Sequence, residues 1–600
     1  MKKINLYILL LSLFTGTLIS CEDTLDGGTG SSIDDATLYS SEILAEQAMY
    51  GILISFAETN SYRARFIPYY GVNTDIETYS GYNQGTGDRR SRLTGYDATP
   101  DNQEMNTTTG AWAKMYEGIE RANLCIEGIR TYGDYENNEA LAQILGECIT
   151  LRAVLYADLL KAWGDIPYRF EPLTTETMYL AKSDRDEVYK RIIADLEEAA
   201  GLVAWPNAST VTSSVERINK AFVKALRARV CLAAAGYGQR PDGGRRRSND
   251  ADLSVEKMYA IALQECRDII NSQTCTLGDF ETTFRELSAE VSTAGRESLW
   301  EIPFAAGRGR VVYTYGIKHN TTDKYTNIAQ GGGVRPTANL FYDFDPQDIR
   351  RDITCIPYYW NNGKQTLRSI KEWYFGKYRY EWMSRIASGD SDDGVNWLYM
   401  RYADVLLMAA ETANELNGGP TDEAREYFKM VRSRAFSTAD QTEKVDNYIN
   451  GLTTKDDFFY ALVEERKWEF AGEAVRKQDL IRWNMLGEKM EETREKLSDL
   501  QKREGEYSGL ANSIYFEYAE DGETLINIYG MERGETDEIG ASLGYTEKAV
   551  NWFEDGSGYI LEDVYVNNLY IKDPDERQFW PIFATFINAS NGMLKNDYGY

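Results

Sequence analysis

Of the 600 residues, 42 are tyrosine and 12 tryptophan, and the chemistry these rings offer most readily is stacking. A flat apolar face with a polar edge matches a sugar ring, so aromatic stacking joined by Asn, Asp or Arg hydrogen bonds makes a saccharide site. Six rings in the two long stretches without helical period are the candidates for ligand contact: Tyr79, Tyr82, Tyr313, Tyr315, Tyr325 and Trp360. Each carries a competing structural reading, because a loop aromatic more often pins its loop to the core than touches a ligand.

Catalytic chemistry is far less legible. His319 is the single histidine and no Cys-x-x-Cys pair occurs, which nearly excludes histidine-rich zinc sites and Ser-His-Asp triads. No residue is assigned a catalytic or metal-binding role, and no cofactor is implied. The 94 carboxylates leave one enzymatic alternative, a glycoside hydrolase, since separations of about 5–9.5 Å between paired carboxyls are invisible in sequence. Net charge is 65 minus 94, or −29, which repels phosphate backbones and argues against nucleic acid as a partner. The basic run Arg240 to Arg247 lies among Gly, Pro, Ser, Asn and Asp and reads as a solvated loop.

The amino terminus gives an address. Lys2 and Lys3 precede an apolar run from Ile4 to Leu13, and residues 1–20 read as a secretory signal too short for a span of roughly 20 apolar residues. Leu18-Ile19-Ser20-Cys21 resembles a lipobox, at which Cys21 would be acylated and become the first mature residue. More than one acyl chain gives lasting attachment at about 0.8 kcal/mol per buried methylene. Residues 21–32, with Glu22 and Asp23 followed by Gly and Ser, suit a flexible tether. Acidic residues directly after such a cysteine resemble a surface-export signal, so the expected location is the outer membrane, lipid-anchored and facing the exterior.

The elements that must hold the rings in place are helical. Residues 37–58 read as a first helix with Leu38, Ile43, Leu44, Ala48, Ile52 and Phe56 on one broad face. Residues 62–109 carry Gly, Asn, Thr, Asp and several tyrosines and read as a long surface excursion. Paired helices follow at 111–130 with 140–163 and at 185–203 with 217–235, then one at 255–270. The second of these ends in Trp163-Gly164-Asp165-Ile166-Pro167, where Leu151, Leu155, Leu159 and Ala162 make a buried stripe and Gly164 and Pro167 stop the helix. From 276 to 399 the chain reads as loops and short strands, from 400 to 490 as helices again, and from 491 to 600 as irregular. Glu465, Arg466, Glu469, Arg476, Asp479 and Arg482 are spaced for ion pairs between helical turns. Cys125, Cys148 and Cys231 fall on apolar faces and read as core, and Cys266 and Cys275 are close enough in sequence for a bridge that nothing in the sequence fixes.

Helical hairpins of this length resemble tetratricopeptide repeats, although no strict 34-residue period is present. The expected class is mainly α: tetratricopeptide-like hairpins with a large irregular loop-rich part and few short strands. The chain divides into 33–275, a helical region, and 276–600, a mixed one.

Several separated motifs together resemble the RagB/SusD family: LRAVLYADLLKAWGDIPY at 151–168, WAKMYEGIERANLCIEGI at 112–129, RPTANLFYDFDPQDIRRD at 335–352 and LYMRYADVLLMAAETANELNG at 398–418. EERKWEF, VRKQDLIRW and the terminal LKNDYGY continue it. Pro581-Ile582-Phe583 and Asn596-Asp597 depart slightly from the family pattern. The resemblance implies a surface lipoprotein whose helical half packs against a SusC-like TonB-dependent outer-membrane transporter. Its irregular half would capture nutrient, most often oligosaccharide and sometimes peptide, without catalysis.

Overall fold

The computed structural model describes residues 33–80, 87–327, 329–389, 392–545, 547–549 and 551–600. The signal at 1–20, Cys21, the tether and Tyr82 lie outside the described residues.

The helices stack as successive hairpins. The chain opens with α1 (Asp35–Ser40) and α2 (Glu42–Leu53), followed by α3 (Ala111–Tyr132), α4 (Glu139–Trp163), α5 (Arg185–Leu202), α6 (Lys220–Ala235) and α7 (Val255–Ser272). Beyond the loop-rich stretch come α8 (Tyr402–Asn417), α9 (Asp422–Ser433), α10 (Lys455–Phe470), α11 (Arg476–Arg482) and α12 (Leu486–Lys502). Each of α3 to α7 packs on the next, and α7 then packs on α8, so one helical stack runs across about 130 intervening residues. Starts are fixed locally: Asn138, Asn219, Ser254 and Thr454 each accept a backbone N–H from the first turn of the helix they precede.

α4 is apolar and long enough to cross a membrane by composition, yet 89% of that stretch is buried by its neighbours, which makes it the core helix of the stack. Gly164 ends it at φ +70°, and a Cβ there would stand 2.5 Å from the Tyr598 hydroxyl, so both conformation and space require glycine. Arg185 holds Asp165 at 2.9 Å and the Tyr598 hydroxyl at 2.8 Å, clasping the last residues of the chain to this corner.

Four expectations are corrected. The stretch 62–109 is no surface excursion: Tyr62, Phe66, Tyr69, Tyr70, Val72 and Ile76 are buried, and Asp75 pairs with Arg476 at 2.6 Å. It holds two short helices, Phe66–Tyr70 and Arg89–Thr94, and is tied to distant segments at a few points, among them the Tyr62 hydroxyl to Asp158 at 2.6 Å and the Ser80 N–H to the Gly333 carbonyl at 2.8 Å. Ile43 is 72% exposed, because the chain breaks at Ser41 into two short helices and the proposed common face does not form. The run Arg240 to Arg247 is corrected only in part: residues 241–245 and Arg247 are exposed as expected, but Arg245 and Arg246 pair with Gly238 and Gln239 in a short β-ribbon and Arg240 is buried against Asp186 at 2.9 Å. Within 491–600, α12 continues to Lys502, its buried Met490, Leu497 and Leu500 hidden in sequence among many charges. All six described cysteines are buried and free, so Cys266 and Cys275 are not bridged.

Strands are few and come in two- and three-stranded pieces. Those that matter below are β1 (Glu77–Tyr79), β2 (Ser298–Ile302), β3 (Val334–Pro336), β4 (Tyr358–Asn361), β5 (Lys364–Leu367) and β6 (Trp397–Arg401). β1 pairs with β3, β4 with β5 as a hairpin, and β2 with β6 beside the helical stack. Beyond the main core a small second one forms in the loop-rich part from Ile317, Ile356, Trp360 and Tyr374.

Candidate functional site

The second core is the candidate site, because the rings that close over it stay partly open to solvent. Tyr325, Tyr358 and Tyr359 pack against it without being buried. The β4–β5 hairpin sets their directions: alternation along β4 turns Tyr358 and Trp360 to one face and Tyr359 to the other. Tyr325 closes edge-on over Trp360 with centroids 5.0 Å apart, and Tyr358 meets the same indole at 6.3 Å. On the opposite face the Arg368 guanidinium lies 4.7 Å from the Tyr359 ring centre.

His319 lies directly under this layer. Its imidazole stacks on Trp360 at 5.9 Å and is fully buried, with Nδ1 2.7 Å from Asp323 and Nε2 3.7 Å from Glu381. Burial by itself pushes the imidazole pKa down, but the two carboxylates outweigh it and hold the pKa above the ordinary 6.5. Because the folded pKa is raised, the ion pair's contribution is complete below the unfolded value and is lost as pH rises through the folded one. The single imidazole resonance should therefore titrate above 6.5 by NMR, and Asp323→Asn should move it down. A titration at or below the ordinary value in the wild type would refute the pairing.

The six candidate rings meet different fates. Tyr325 and Trp360 come together, but Trp360 is buried and serves as floor rather than contact surface. Tyr315 is a correction: it is 2% exposed, its ring packed 4.8 Å from Trp397, so it offers no face. Tyr313 is half-buried on the main core, with Arg310 over its ring at 5.3 Å. Tyr79 joins the ribbon β1–β3 but meets Tyr69 at 5.2 Å, on the side away from Arg335. Tyr82 lies outside the described residues. Tyr358 and Tyr359 were missed as contacts although they adjoin Trp360. Alternation in Tyr358-Tyr359-Trp360-Asn361 was the available signal, since a half-buried strand must turn one of the three rings outward.

Hollows also occur away from these rings. A cavity of about 100 Å³ lies between α4, α6 and α11 beside Tyr62, Asp158 and Tyr399. Asp158 there already accepts from Tyr62 at 2.6 Å and Lys161 at 2.6 Å. A shallow groove of about 230 Å³ runs along Trp112, Tyr116, Tyr168 and Tyr179 at the end of α4. Among the described residues no cluster of three or more His, Cys, Asp or Glu could hold a metal ion.

The sequence motifs turn out to be scaffold. Arg152 donates to Asn123 at 2.9 Å, to the Phe170 carbonyl at 2.8 Å and to Asp195 at 2.6 Å, latching the strand that leaves the α4 corner. Arg401 reaches Glu297 at 2.7 Å, Glu469 at 2.5 Å and Glu473 at 2.8 Å, while Arg350 joins Glu465 and Glu469, each at 2.7 Å. Asp404 bridges Arg229 and Arg466. The charges from Glu465 to Arg482 therefore pair mostly with other segments, the exceptions being Asp479 with Arg466 and Arg482.

A stack of helical hairpins holding up a small aromatic face, with its charged motifs spent on internal pairing, defines a binding protein. The chain belongs to the SusD family: the model of that family matches residues 296–600. A second, described as "Starch-binding associating with outer membrane", matches residues 39–232. The family is one of non-catalytic binding proteins. SusD-like protein P25 of Formosa agariphila is 26% identical over 518 residues, covering 81% of this chain and 91% of the relative. Among solved structures, a SusD homologue from Bacteroides thetaiotaomicron superposes with a TM-score of 0.72 at 18% identity, covering 95% of this chain and 99% of that one. Surface glycan-binding protein A from the same organism, in complex with laminarihexaose, gives a TM-score of 0.61 at 17% identity, covering 92% and 99%.

Proposed function

We propose that this chain is a cell-surface lipoprotein that captures oligosaccharide or polysaccharide and passes it to a SusC-like TonB-dependent outer-membrane transporter. The observation that carries the capture step is the set of half-open rings on and beside the β4–β5 hairpin, Tyr325 and Tyr358 on the Trp360 side and Tyr359 on the other, all packed against the small second core. Tyr325 and Tyr358, backed by Trp360, and Tyr359, held against Arg368, lose little freedom on binding, and aromatic faces suit the C–H faces of sugars. Support comes also from the fold shared with a surface glycan-binding protein that holds laminarihexaose. The peptide alternative calls for an enclosed pocket, whereas this site is a surface platform.

Such a platform gives modest affinity, about 1 mM to 1 μM. That is enough where a transporter removes the ligand, and a polymer spanning several anchored copies is held more tightly. Glycan-array screening followed by calorimetry tests the reading. Tyr359→Ala and Tyr325→Ala should each weaken the best glycan about tenfold, the loss of one stacking partner. Unaltered affinity in the folded double variant would remove the platform from consideration.

The anchor rests on Cys21. In cell fractionation, wild-type protein should stay with outer membranes and Cys21→Ala should not. Membrane retention of the variant would mean that something other than a lipid holds the protein. For docking to the transporter, α1 to α3 and the residues flanking them offer exposed apolar side chains at Ile33, Ile43, Ile54, Leu124 and Tyr132. Co-purification with a barrel protein, weakened by Ile43→Asp, is the expected outcome.

A further inference from the structure

The face of the hairpin that carries Tyr359 is cationic, in a chain whose net charge is −29. Residues 318–320 bridge to β4 in parallel: the Trp360 N–H donates to the Lys318 carbonyl at 2.9 Å, and the Asn320 N–H to the Trp360 carbonyl at 2.7 Å. Since His319 stacks on Trp360 on one side, alternation turns Lys318 to the other side, that of Tyr359. Arg368 lies over one face of the half-buried Tyr359 ring there. Arg335 enters from β3 and lies 5.3 Å from the ring centre of Tyr374.

The glycines at 331 and 332 let the loop before β3 lie flat against this group. They adopt φ +133° and +69°, and side chains on them would meet the Lys318 Cα at 2.7 Å and the Tyr374 ring at 2.3 Å. The loop thereby presses against both the Lys318 backbone and the Tyr374 ring.

The charges do not cancel. Glu372 stands 3.8 Å from Arg335 and also pairs with Arg368, and among the described residues no carboxylate pairs with Lys318. Three cations thus face one carboxylate. Burial lowers the Lys318 pKa, and the neighbouring Arg368 and Arg335 lower it further, as expected for an ammonium crowded by like charge. Like charges gathered beside a half-open aromatic ring destabilise the free protein and are relieved by an anion. The paired structural arginines of the core, such as Arg401 and Arg350, show no such surplus.

We propose that this face selects acidic saccharides, with a uronate carboxylate or a sulfate ester held by Lys318, Arg335 and Arg368 while its ring stacks on Tyr359. The proposal deepens the glycan reading above and rests on it. Guanidinium groups recognise both oxyanions by two-point hydrogen bonding, so the shared chemistry is the anionic substituent. The overall negative charge of the protein is screened beyond about 8 Å at physiological ionic strength, and the local surplus decides.

The test is calorimetry on the mature chain with three hexasaccharides of equal length: oligogalacturonate, a sulfated oligosaccharide and neutral laminarihexaose. One acidic class should bind at least about tenfold more tightly than the neutral one, with affinity falling as salt rises. The sulfated and carboxylated arms identify which anion is preferred. Lys318→Gln, at a partly exposed side chain, should reduce the acidic preference to less than about threefold without lowering the thermal midpoint, since it removes one of the crowded like charges, and Arg368→Gln should reduce the preference likewise. Equal binding of neutral and acidic glycans, indifferent to Lys318→Gln, overturns the acidic proposal and leaves glycan capture standing. Binding of no saccharide by the folded protein overturns both.

Discussion

Arg401→Ala should lower the unfolding free energy by about 3–5 kcal/mol, the cost of breaking a buried ion pair from one side. The guanidinium is 1% exposed and satisfies Glu297, Glu469 and Glu473 together. Water cannot replace it, because the same carboxylates are shared with Arg434 and Lys377 in a sealed network. Arg401→Lys should recover only part of the loss, since a single ammonium cannot reach three carboxylates in a plane. The effect has a pH signature. Burial alone would raise the Glu469 and Glu297 pKa values, but the surrounding arginines hold both below the ordinary 4.5. Their contribution is present above that value and lost as pH falls through the folded pKa. Without Arg401 the freed carboxylates protonate earlier, so the deficit should be largest at neutral pH and shrink in acid. Urea unfolding at neutral and mildly acidic pH measures this, and a neutral-pH deficit below about 1 kcal/mol would contradict the network account.

Trp163→Ala should cost about as much, 3–5 kcal/mol, through a cavity that rigid neighbours cannot close. The indole meets Trp112 at 5.2 Å, Trp580 at 5.7 Å and Phe66 at 6.3 Å, and its Nε1 donates to the Pro581 carbonyl at 3.1 Å. These neighbours come from segments about 50 to more than 400 positions away in the chain. Loss of the ring should therefore loosen the carboxyl-terminal segment as well as lower the midpoint. Hydrogen exchange reads this directly: the Trp580 amide, bonded to the Ala162 carbonyl at 2.7 Å, should lose protection. Trp163→Phe should lose less, about 1–2 kcal/mol, keeping a ring but leaving the Pro581 carbonyl without its donor. Unchanged protection at Trp580 in Trp163→Ala would show that the corner and the terminus are held independently.

The helical stack was the legible part of this chain. Residues at three-and-four spacing, such as Leu151, Leu155 and Leu159, must share a face whatever lies opposite, so α3 to α7 could be placed from periodicity. α12 escaped because charged residues fill most of its surface, and the stretch 62–109 misled because aromatic and polar residues without period describe a buried thread as well as an exposed loop. Ile43 failed for a third reason: the face assignment assumed one continuous helix across Ser41.

The candidate site was legible only as a composition. Tyr325 and Trp360 were picked out as loop aromatics, but so was Tyr315, which lies in the core. No pattern separates a ring that closes a loop from one that opens to solvent, since both occur in polar sequence. What the sequence determined by itself was local: helix faces, the stop at Gly164 and Pro167, and the family carried by separated motifs. Only the tertiary structure decided which rings converge, because β1 with β3, residues 318–320 with β4, and the 331–333 loop with Tyr374 are contacts between segments about 40 to 260 positions apart. Burial is a property of those contacts. It turned Trp360 into a floor, left Tyr359 open beside Lys318, Arg335 and Arg368, and gave one hairpin of a highly acidic protein a cationic face.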